Sequence, residues 1–384
     1  MIQSYDVIII GAGSIGVPAA LAMAREKMRV LVIDALPSQG QGSNKAAIGG
    51  MRATHSDPSK LIICKRSLEI ISSWKETFGH DIEWHSGGYC FVAYREEEEL
   101  ILKNLLKEQH AHGLKIDWHD KEAVLSIAPD LNPANLRGAT FSPNDGHCST
   151  LLANHAFYDQ AKTYGAEFRF NEKVIGIDTN AGRVTGVRTD KRTYKTACVV
   201  NAAGAYATEV GKLVGLNLPV LPDSHEAGIT EPVAQFLGPM IVDIKPAPGS
   251  SNCYFYQLRS GQIIFCISPE PEISGYERGE SSLFLPMAAK RMVWLMPRLA
   301  GIRVRRTWCG LYPSTPDGSP LVGWHNSLDG YLIAAGMCGQ GFMLGLGLGE
   351  MLTRMIMRNE TADDIEVITD LSPFRKFKSQ EALK

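Results

Sequence analysis

The apolar positions of this chain gather into strand-like runs, and two of these runs, near opposite ends, lead straight into glycine-rich turns. Tyr5–Ile10 reads as a buried strand, and Gly11-Ala12-Gly13-Ser14-Ile15-Gly16 then opens a helix that runs through Arg25. A second strand, Arg29–Ile33, ends in Asp34. Near the other end, Gly330–Ala335 reads as a strand, followed by Gly336-Met337-Cys338-Gly339-Gln340-Gly341-Phe342 and a helix through Met357. Between them the pattern predicts a helix over 60–78, a strand over Gly88–Tyr94, and a helix from the acidic run Glu96–Glu99 to His112. Ala139–Ser142 reads as a strand and Leu151–Tyr164 as a helix. Short strands follow at Glu167–Phe170, Val174–Asp178, Arg183–Thr189 and Cys198–Asn201. From Leu221 to Pro269 the chain is β-rich, with strands at Ala227–Thr230, Tyr254–Leu258 and Gln262–Ile267, and Ser282–Met296 reads as a helix.

The first glycine loop has a mechanism behind it. Glycines allow a tight turn and close approach of backbone to a pyrophosphate, while a helix N-terminus offers unpaired N–H groups and the positive end of its dipole. Asp34 lies 34 − 11 = 23 positions past the first glycine, near the ~20 expected of a carboxylate that accepts from ribose hydroxyls. One such loop suggests a dinucleotide; two, separated by most of the chain, point to a dinucleotide with a second end to hold, FAD. Residues 39–55 form a loop too long and too rich in small residues to be a plain connection, so a ligand is expected against it. The order of segments inserts a substrate domain piecewise into a Rossmann-like α/β domain. The flavin domain is expected over 1–80, 145–215 and 305–384, and the substrate domain over 81–144 and 216–304.

Composition narrows this only modestly. At 384 residues two interleaved domains are favoured over one, and 45% hydrophobic residues suffice for a core. A net charge of −2 with signs interspersed gives no footprint for nucleic acid or an anionic membrane. The 8 cysteines are scattered without zinc spacing, no metal site is expected, and no stretch reaches the ~20 apolar residues of a membrane span. These features fit a cytoplasmic protein with free thiols, or one held at the inner membrane through a partner.

Five blocks together carry a family resemblance: Val7–Gly16, Gly42–Arg52, Asp145-Gly146, Val199–Ala205, and the pair Trp308–Pro320 with Ala334–Phe342. On them the chain resembles the D-amino-acid-oxidase-type flavoproteins, in the sarcosine oxidase and glycine oxidase branch. It is most similar there to the β subunits of dye-linked L-proline dehydrogenase and heterotetrameric sarcosine oxidase. The resemblance implies a GR2-type Rossmann-like FAD domain interleaved with an α+β substrate domain on a large mixed or antiparallel sheet. It implies that Gly11, Ala12, Gly13, Ser14, Ile15, Gly16, Asp34 and Ala35 hold the ADP half, and that Gly42, Ser43, Asn44, Lys45 and Gly49 contact the pyrophosphate and ribityl region. Val174, Ala203 and Gly204 would lie near adenine, with Gly310, Gly336, Gly339, Gln340, Gly341, Phe342 and Met343 around the isoalloxazine. Some members bind flavin through a cysteine at the position of Gly310; Cys309 falls one residue early, so non-covalent FAD is expected.

For the chemistry, the resemblance places Arg52 on a substrate carboxylate, a task for which a planar guanidinium fork is suited. The family's second carboxylate-binding cation is replaced by Met343, a departure that weakens the case for sarcosine itself. His225 is a candidate for orienting or deprotonating an amine, and Tyr254, Tyr256 and Tyr312 for lining its pocket, although each is also a plausible structural residue. The implied reaction is hydride transfer from a small amino acid or secondary amine to flavin N5, giving an imine. The strand Gln262–Ile267 lacks the lysine that promotes reaction with oxygen in sarcosine oxidases, which favours an electron acceptor or an α-type partner subunit. Two other readings stay open: a 2-hydroxy-acid or polyol-phosphate dehydrogenase, and a non-catalytic flavin-binding subunit.

Overall fold

The computed structural model of the chain describes residues 3–377 and 382–383. Its first layer is a six-stranded sheet in the order Leu321–Trp324, Tyr331–Ala335, Val199–Asn201, Val7–Ile10, Val30–Ile33, Glu167–Arg169. All neighbours are parallel except the Leu321–Trp324 edge strand. Strands buried on both faces must be apolar throughout, which is why VIII and VLVI carry no polar residue. The helices Gly16–Arg25 and Gly341–Met357 pack against each other on one face of this sheet. Their axes come close because Gly345 meets Ser14 and Gly349 meets Pro18, where a Cβ would lie 2.1 Å and 2.8 Å from backbone atoms.

The second layer is an eight-stranded mixed sheet in the order Val304–Ser314, Leu221–Thr230, Ile263–Pro269, Ser250–Gln257, Met240–Asp243, Tyr89–Ala93, Gly138–Ser142, Asp117–Asp120. Its two faces divide the alternating residues of each strand. Cys90, Val92, Ile241, Phe255, Phe265 and Ile267 pack against the helix Phe284–Leu295. Tyr89, Phe91, Val242, Tyr256 and Ile264 form a separate cluster on the opposite face. Arg291, buried on that helix, pins it to the sheet through Asp243 at 2.8 Å and Ser250 Oγ at 2.8 Å.

The structure departs from the sequence expectation in several places, among them the unanticipated short strands Asp117–Asp120 and Met240–Asp243. The helix expected over 60–78 is two, Pro58–Ser72 and Trp74–Phe78. Ser73 bends away from helical geometry, and its hydroxyl donates back to the Glu69 and Ile70 carbonyls. The strand expected from Ala227 begins at Leu221, so His225, two residues ahead of the expected strand, sits in mid-strand. Val304–Ser314, for which no strand was expected, is an eleven-residue strand paired along the whole of Leu221–Thr230.

Candidate active site

A cavity of about 1000 Å³ runs between the two sheets, at the upper end of the ~300–1,000 Å³ typical of small-molecule and cofactor sites. One end is nucleotide-shaped. Gly11, Gly13, Ser14 and Ile15 line it where the Gly16–Arg25 helix starts, a helix whose N-cap makes no side-chain bond and whose Val17 N–H turns back to the Gly13 carbonyl at 3.2 Å. Asp34 closes the strand below: its carboxylate accepts from the Ala12 N–H at 2.7 Å and the Leu36 N–H at 2.8 Å. Burial pushes the Asp34 carboxyl above the usual range, and those two N–H bonds act against the rise. Ala35, Val174, Ala203 and Gly204 complete this end.

The glycine-rich loop 39–55 runs along the middle of the cavity and is tied to both sides of it. Ser14 Oγ donates to Asn44 Oδ1 at 2.8 Å, and Asn44 Nδ2 donates to the Thr150 carbonyl at 3.2 Å. Ser43 Oγ donates to the Leu311 carbonyl at 2.7 Å, and Trp308 Nε1 to the Ala46 carbonyl at 2.8 Å. The loop therefore bridges the nucleotide strand–helix unit and the eight-stranded sheet. Gly42, Ser43, Asn44 and Gly49 all line the cavity.

At the far end stands the second glycine loop. Gly339, Gln340, Gly341, Phe342 and Met343 line the wall where the Gly341–Met357 helix begins, again without a side-chain cap. Gly339 has φ +81°, and a Cβ there would fall 2.2 Å from the Tyr312 ring, so the loop backbone lies flat against that tyrosine. The buried Gln340 carboxamide oxygen has no hydrogen-bond partner among the described residues. Uncapped helix ends at both extremes, an acid at the ribose position and an unpaired amide oxygen beside the second loop suit a ligand with a pyrophosphate and a polar-edged ring, as FAD is.

Opposite this loop, the large sheet presents one register row after another. Phe91, Val242, Tyr254, Cys266, Ala227 and Trp308 are successive cross-strand partners, and Gly310 pairs with His225 and Tyr312 with Asp223. The Tyr312 ring stacks on His225 at 3.6 Å and 13°, and its hydroxyl is 3.0 Å from that of Tyr254. Burial keeps both phenols, and the Cys266 thiol, whose pKa rises to about 12, protonated. The result is a mostly apolar compartment with hydroxyl handles.

Arg52 enters the compartment from the loop. It is buried, its guanidinium sits 5.5 Å from the Phe91 ring centroid, and it donates to the carbonyls of Thr54 and Leu383, with His55 Nδ1 3.3 Å away. Behind it, Asp145 accepts from Thr54 Oγ1 at 2.6 Å and the Ala53 N–H at 3.0 Å.

Not every expected residue reaches the cavity. Lys45 is exposed, because the 3-10 turn Ser43–Ala46 carries its side chain outward while Asn44 turns in. Tyr256 is fully buried behind the wall, donates to the Ile48 carbonyl and packs on His147 at 4.2 Å. Ala12, Gly16 and Gly336 support the loops without lining the space. Conversely, Tyr89, Phe91, Cys266, Arg278 and Leu383 line it and were not anticipated. The alternation within Gly88–Tyr94 could have found the first two; nothing local points to Leu383.

Comparison with known proteins agrees with this geometry. Residues 6–355 match the family described as FAD dependent oxidoreductase, DAO. The L-proline dehydrogenase structure from P. horikoshii superposes with a TM-score of 0.91 at 30% identity, covering 98% of each chain. Glycine oxidase of Geobacillus kaustophilus is 26% identical over 373 residues, 95% of this chain and 96% of the relative, and its crystal structure superposes with a TM-score of 0.87. Human mitochondrial sarcosine dehydrogenase is 23% identical over 94% of this chain, which spans only 41% of that longer protein. A cavity shaped for a two-ended nucleotide and a family match over almost all of the same residues lead to one statement: the chain belongs to the DAO family of FAD-dependent oxidoreductases.

Proposed function

We propose that the protein oxidises the C–N bond of a small amino acid or secondary amine of the proline, hydroxyproline, sarcosine or glycine type to an imine. The observation that carries this reading is Arg52: a buried guanidinium in an apolar, tyrosine-lined compartment, across the cavity from the second glycine loop. A carboxylate is the ligand that such a cation accepts at least cost, since charge-assisted fork bonds offset the desolvation of both partners. The names of the related proteins, glycine oxidase and L-proline dehydrogenase among them, support the same substrate class.

FAD supplies the two-electron acceptor when bound. The chain's own part is positional. Arg52 holds the carboxylate, Tyr254 and Tyr312 offer hydroxyls to the amine, and the Phe91–Val242 wall excludes water from the reacting carbon. Non-covalent flavin is supported by the strand register. Gly310 faces the cavity, whereas Cys309 pairs with Glu226 and does not line it, and burial raises its thiol pKa. The proposed division places the flavin on the six-stranded side (1–80, 145–215, 305–384) and the substrate on the eight-stranded side (81–144, 216–304), with Val304–Ser314 serving both. Cys266 stands in the cavity wall on the strand that carries no lysine, which supports electron delivery to an acceptor or partner subunit over direct reaction with oxygen. No helix among the described residues is long and apolar enough to cross a membrane, and a cytoplasmic site of action is part of the proposal.

The test is anaerobic bleaching of the purified flavoprotein by a panel of amines and 2-hydroxy acids. Bleaching by one amino acid, lost in Arg52→Ala, is the expected result. Bleaching by hydroxy acids alone overturns the substrate class. Admitting air afterwards separates oxidase from dehydrogenase.

A further inference from the structure

Beside the compartment lies a buried carboxylate that the reading above does not use. Asp223 sits on the same face of the Leu221–Thr230 strand as His225, directly opposite Tyr312 in the register. One of its oxygens accepts from Ser314 Oγ at 3.2 Å. The other has no hydrogen-bond partner among the described residues and lies 3.4 Å from His225 Nε2. Neither ring nitrogen of His225 has a hydrogen-bond partner there either, although the ring is almost fully buried and lines the cavity. Asp223 itself does not reach the cavity. Buried polar atoms left unpaired are costly, so two of them facing each other at the edge of a substrate pocket call for a function.

We propose that Asp223 is the positioning residue that makes His225 the proton acceptor for the substrate's ammonium group. The proposal rests on the amine reading of the site. An amine arrives at neutral pH as an ammonium ion, and it must lose a proton before its carbon can release a hydride. Stacking on Tyr312 sets the plane of the imidazole, and the carboxylate at Nε2 sets its tautomer. With Nε2–H turned to Asp223, Nδ1 carries the lone pair. The N–H bond of the ammonium breaks, its electron pair stays on the amine nitrogen, and the proton binds Nδ1. The resulting imidazolium is held between the carboxylate and the Tyr312 face. This is the base-and-orienter arrangement of nucleophilic triads applied to an amine, and contacts of 3.4 Å commonly tighten when substrate binds.

The other groups around the ring do not compete for this role. Tyr312 and Tyr254 are held protonated by burial, as is Cys266. Glu226 is turned to the opposite side, where Ser281 binds both of its oxygens. Arg52, whose charge reaches Tyr312, is a cation.

The experiment measures the limiting rate of anaerobic flavin reduction against pH in wild type, Asp223→Asn, His225→Gln and the double variant, each checked for FAD content. Asp223→Asn should lower the plateau roughly 10- to 100-fold and move the acid limb about one unit toward lower pH. It should cost little further in the His225→Gln background. Histidine 15N spectra should show the His225 resonance, identified by its loss in His225→Gln, as the Nε2–H tautomer in wild type and as a mixture in Asp223→Asn. An unshifted pH profile, or an equal loss in the His225→Gln background, overturns the inference and leaves a structural aspartate. Ser314→Ala, which removes only the hydroxyl donor to Asp223, should give a smaller change in the same direction if the carboxylate matters through its placement. Failure of wild type to be reduced by any amine overturns the functional reading instead, so the two outcomes are separable.

Discussion

The guanidinium of Arg52 donates to the backbone carbonyl of Leu383, a residue 331 positions further along the chain. The Leu383 side chain is completely buried in the aromatic cluster of Tyr89, Phe91 and Tyr256. Both arms of the proposed carboxylate anchor therefore meet peptide oxygens, Nη1 that of Thr54 and Nη2 that of Leu383, and a substrate carboxylate must displace the Leu383 oxygen to use Nη2. A hydrogen bond to a charged group contributes about 1.5–3 kcal/mol net, which is at least about tenfold in affinity. Deleting residues 378–384 should accordingly lower the KM for the amino-acid substrate by about tenfold. That gain should vanish in the Arg52→Lys background, where a cation remains but no planar fork is left to be freed. A KM that rises on deletion would instead make Leu383 part of the productive pocket wall.

Gly339 and Tyr312 pose a sharper steric test. Substituting Gly339→Ala places a methyl group on the tyrosine ring and also demands positive φ from a residue that disfavours it. The loop must lift from the wall that it forms with Gln340 and Phe342. Purified Gly339→Ala protein should carry less flavin, read as a fall in the ratio of visible to ultraviolet absorbance. Tyr312→Ala in the same chain should restore part of it by removing the clash.

Much of this architecture was legible because parallel strands buried on two faces must be written in unbroken apolar residues. Val7–Ile10, Val30–Ile33 and Tyr331–Ala335 could hardly be read otherwise. The glycine loops were legible because each combines a strand, a turn and a helix start within a few residues. Val304–Ser314 was hidden: its first half is exposed at a sheet edge and carries Arg305 and Arg306, and its second half contains Pro313. Lys45 was misplaced because a 3-10 turn sends successive side chains about 120° apart, so adjacent Asn44 and Lys45 face opposite ways. Asp223 and Leu383 could not be found at all. Their importance comes from pairing with Tyr312 and Arg52, and such distant partnerships leave no periodicity in the chain.

His147 gives the fold a specific acid weakness. Its ring is packed between His85 and Tyr256, and neither nitrogen has a hydrogen-bond partner among the described residues. Burial pushes its pKa from 6.5 down to about 3, with His85 and Arg259 adding to the effect. Between those values the unfolded chain binds a proton that the folded one does not. The contribution is thus fully present above pH 6.5 and is lost as pH falls toward 3, at roughly 1.4 kcal/mol per unit. Thermal unfolding followed from pH 7 to pH 4.5 should show this slope, and His147→Phe should flatten it. An equally steep acid limb in His147→Phe would assign the loss to other groups, such as His85, whose pKa burial also lowers.

The ion pair between Arg291 and Asp243 should be far more sensitive to removal of one partner than of both. Arg291 also donates to the Lys245 carbonyl at 2.6 Å, and both side chains are nearly inaccessible. Arg291→Met leaves Asp243 as a buried, uncompensated carboxylate, at a cost of about 3–5 kcal/mol. The helix Phe284–Leu295 would lose its polar tie to the sheet but keep Phe284, Ala288, Met292 and Leu295 against the far face from the cavity. Pairing Arg291→Met with Asp243→Leu removes both charges and should recover most of that stability in denaturant titrations. Flavin content should follow stability in both cases, because this helix lies on the side of the sheet away from the cofactor cavity. If the double variant proves as unstable as the single one, the pair's value lies in the Ser250 and Lys245 bonds that Arg291 makes rather than in the matched charges.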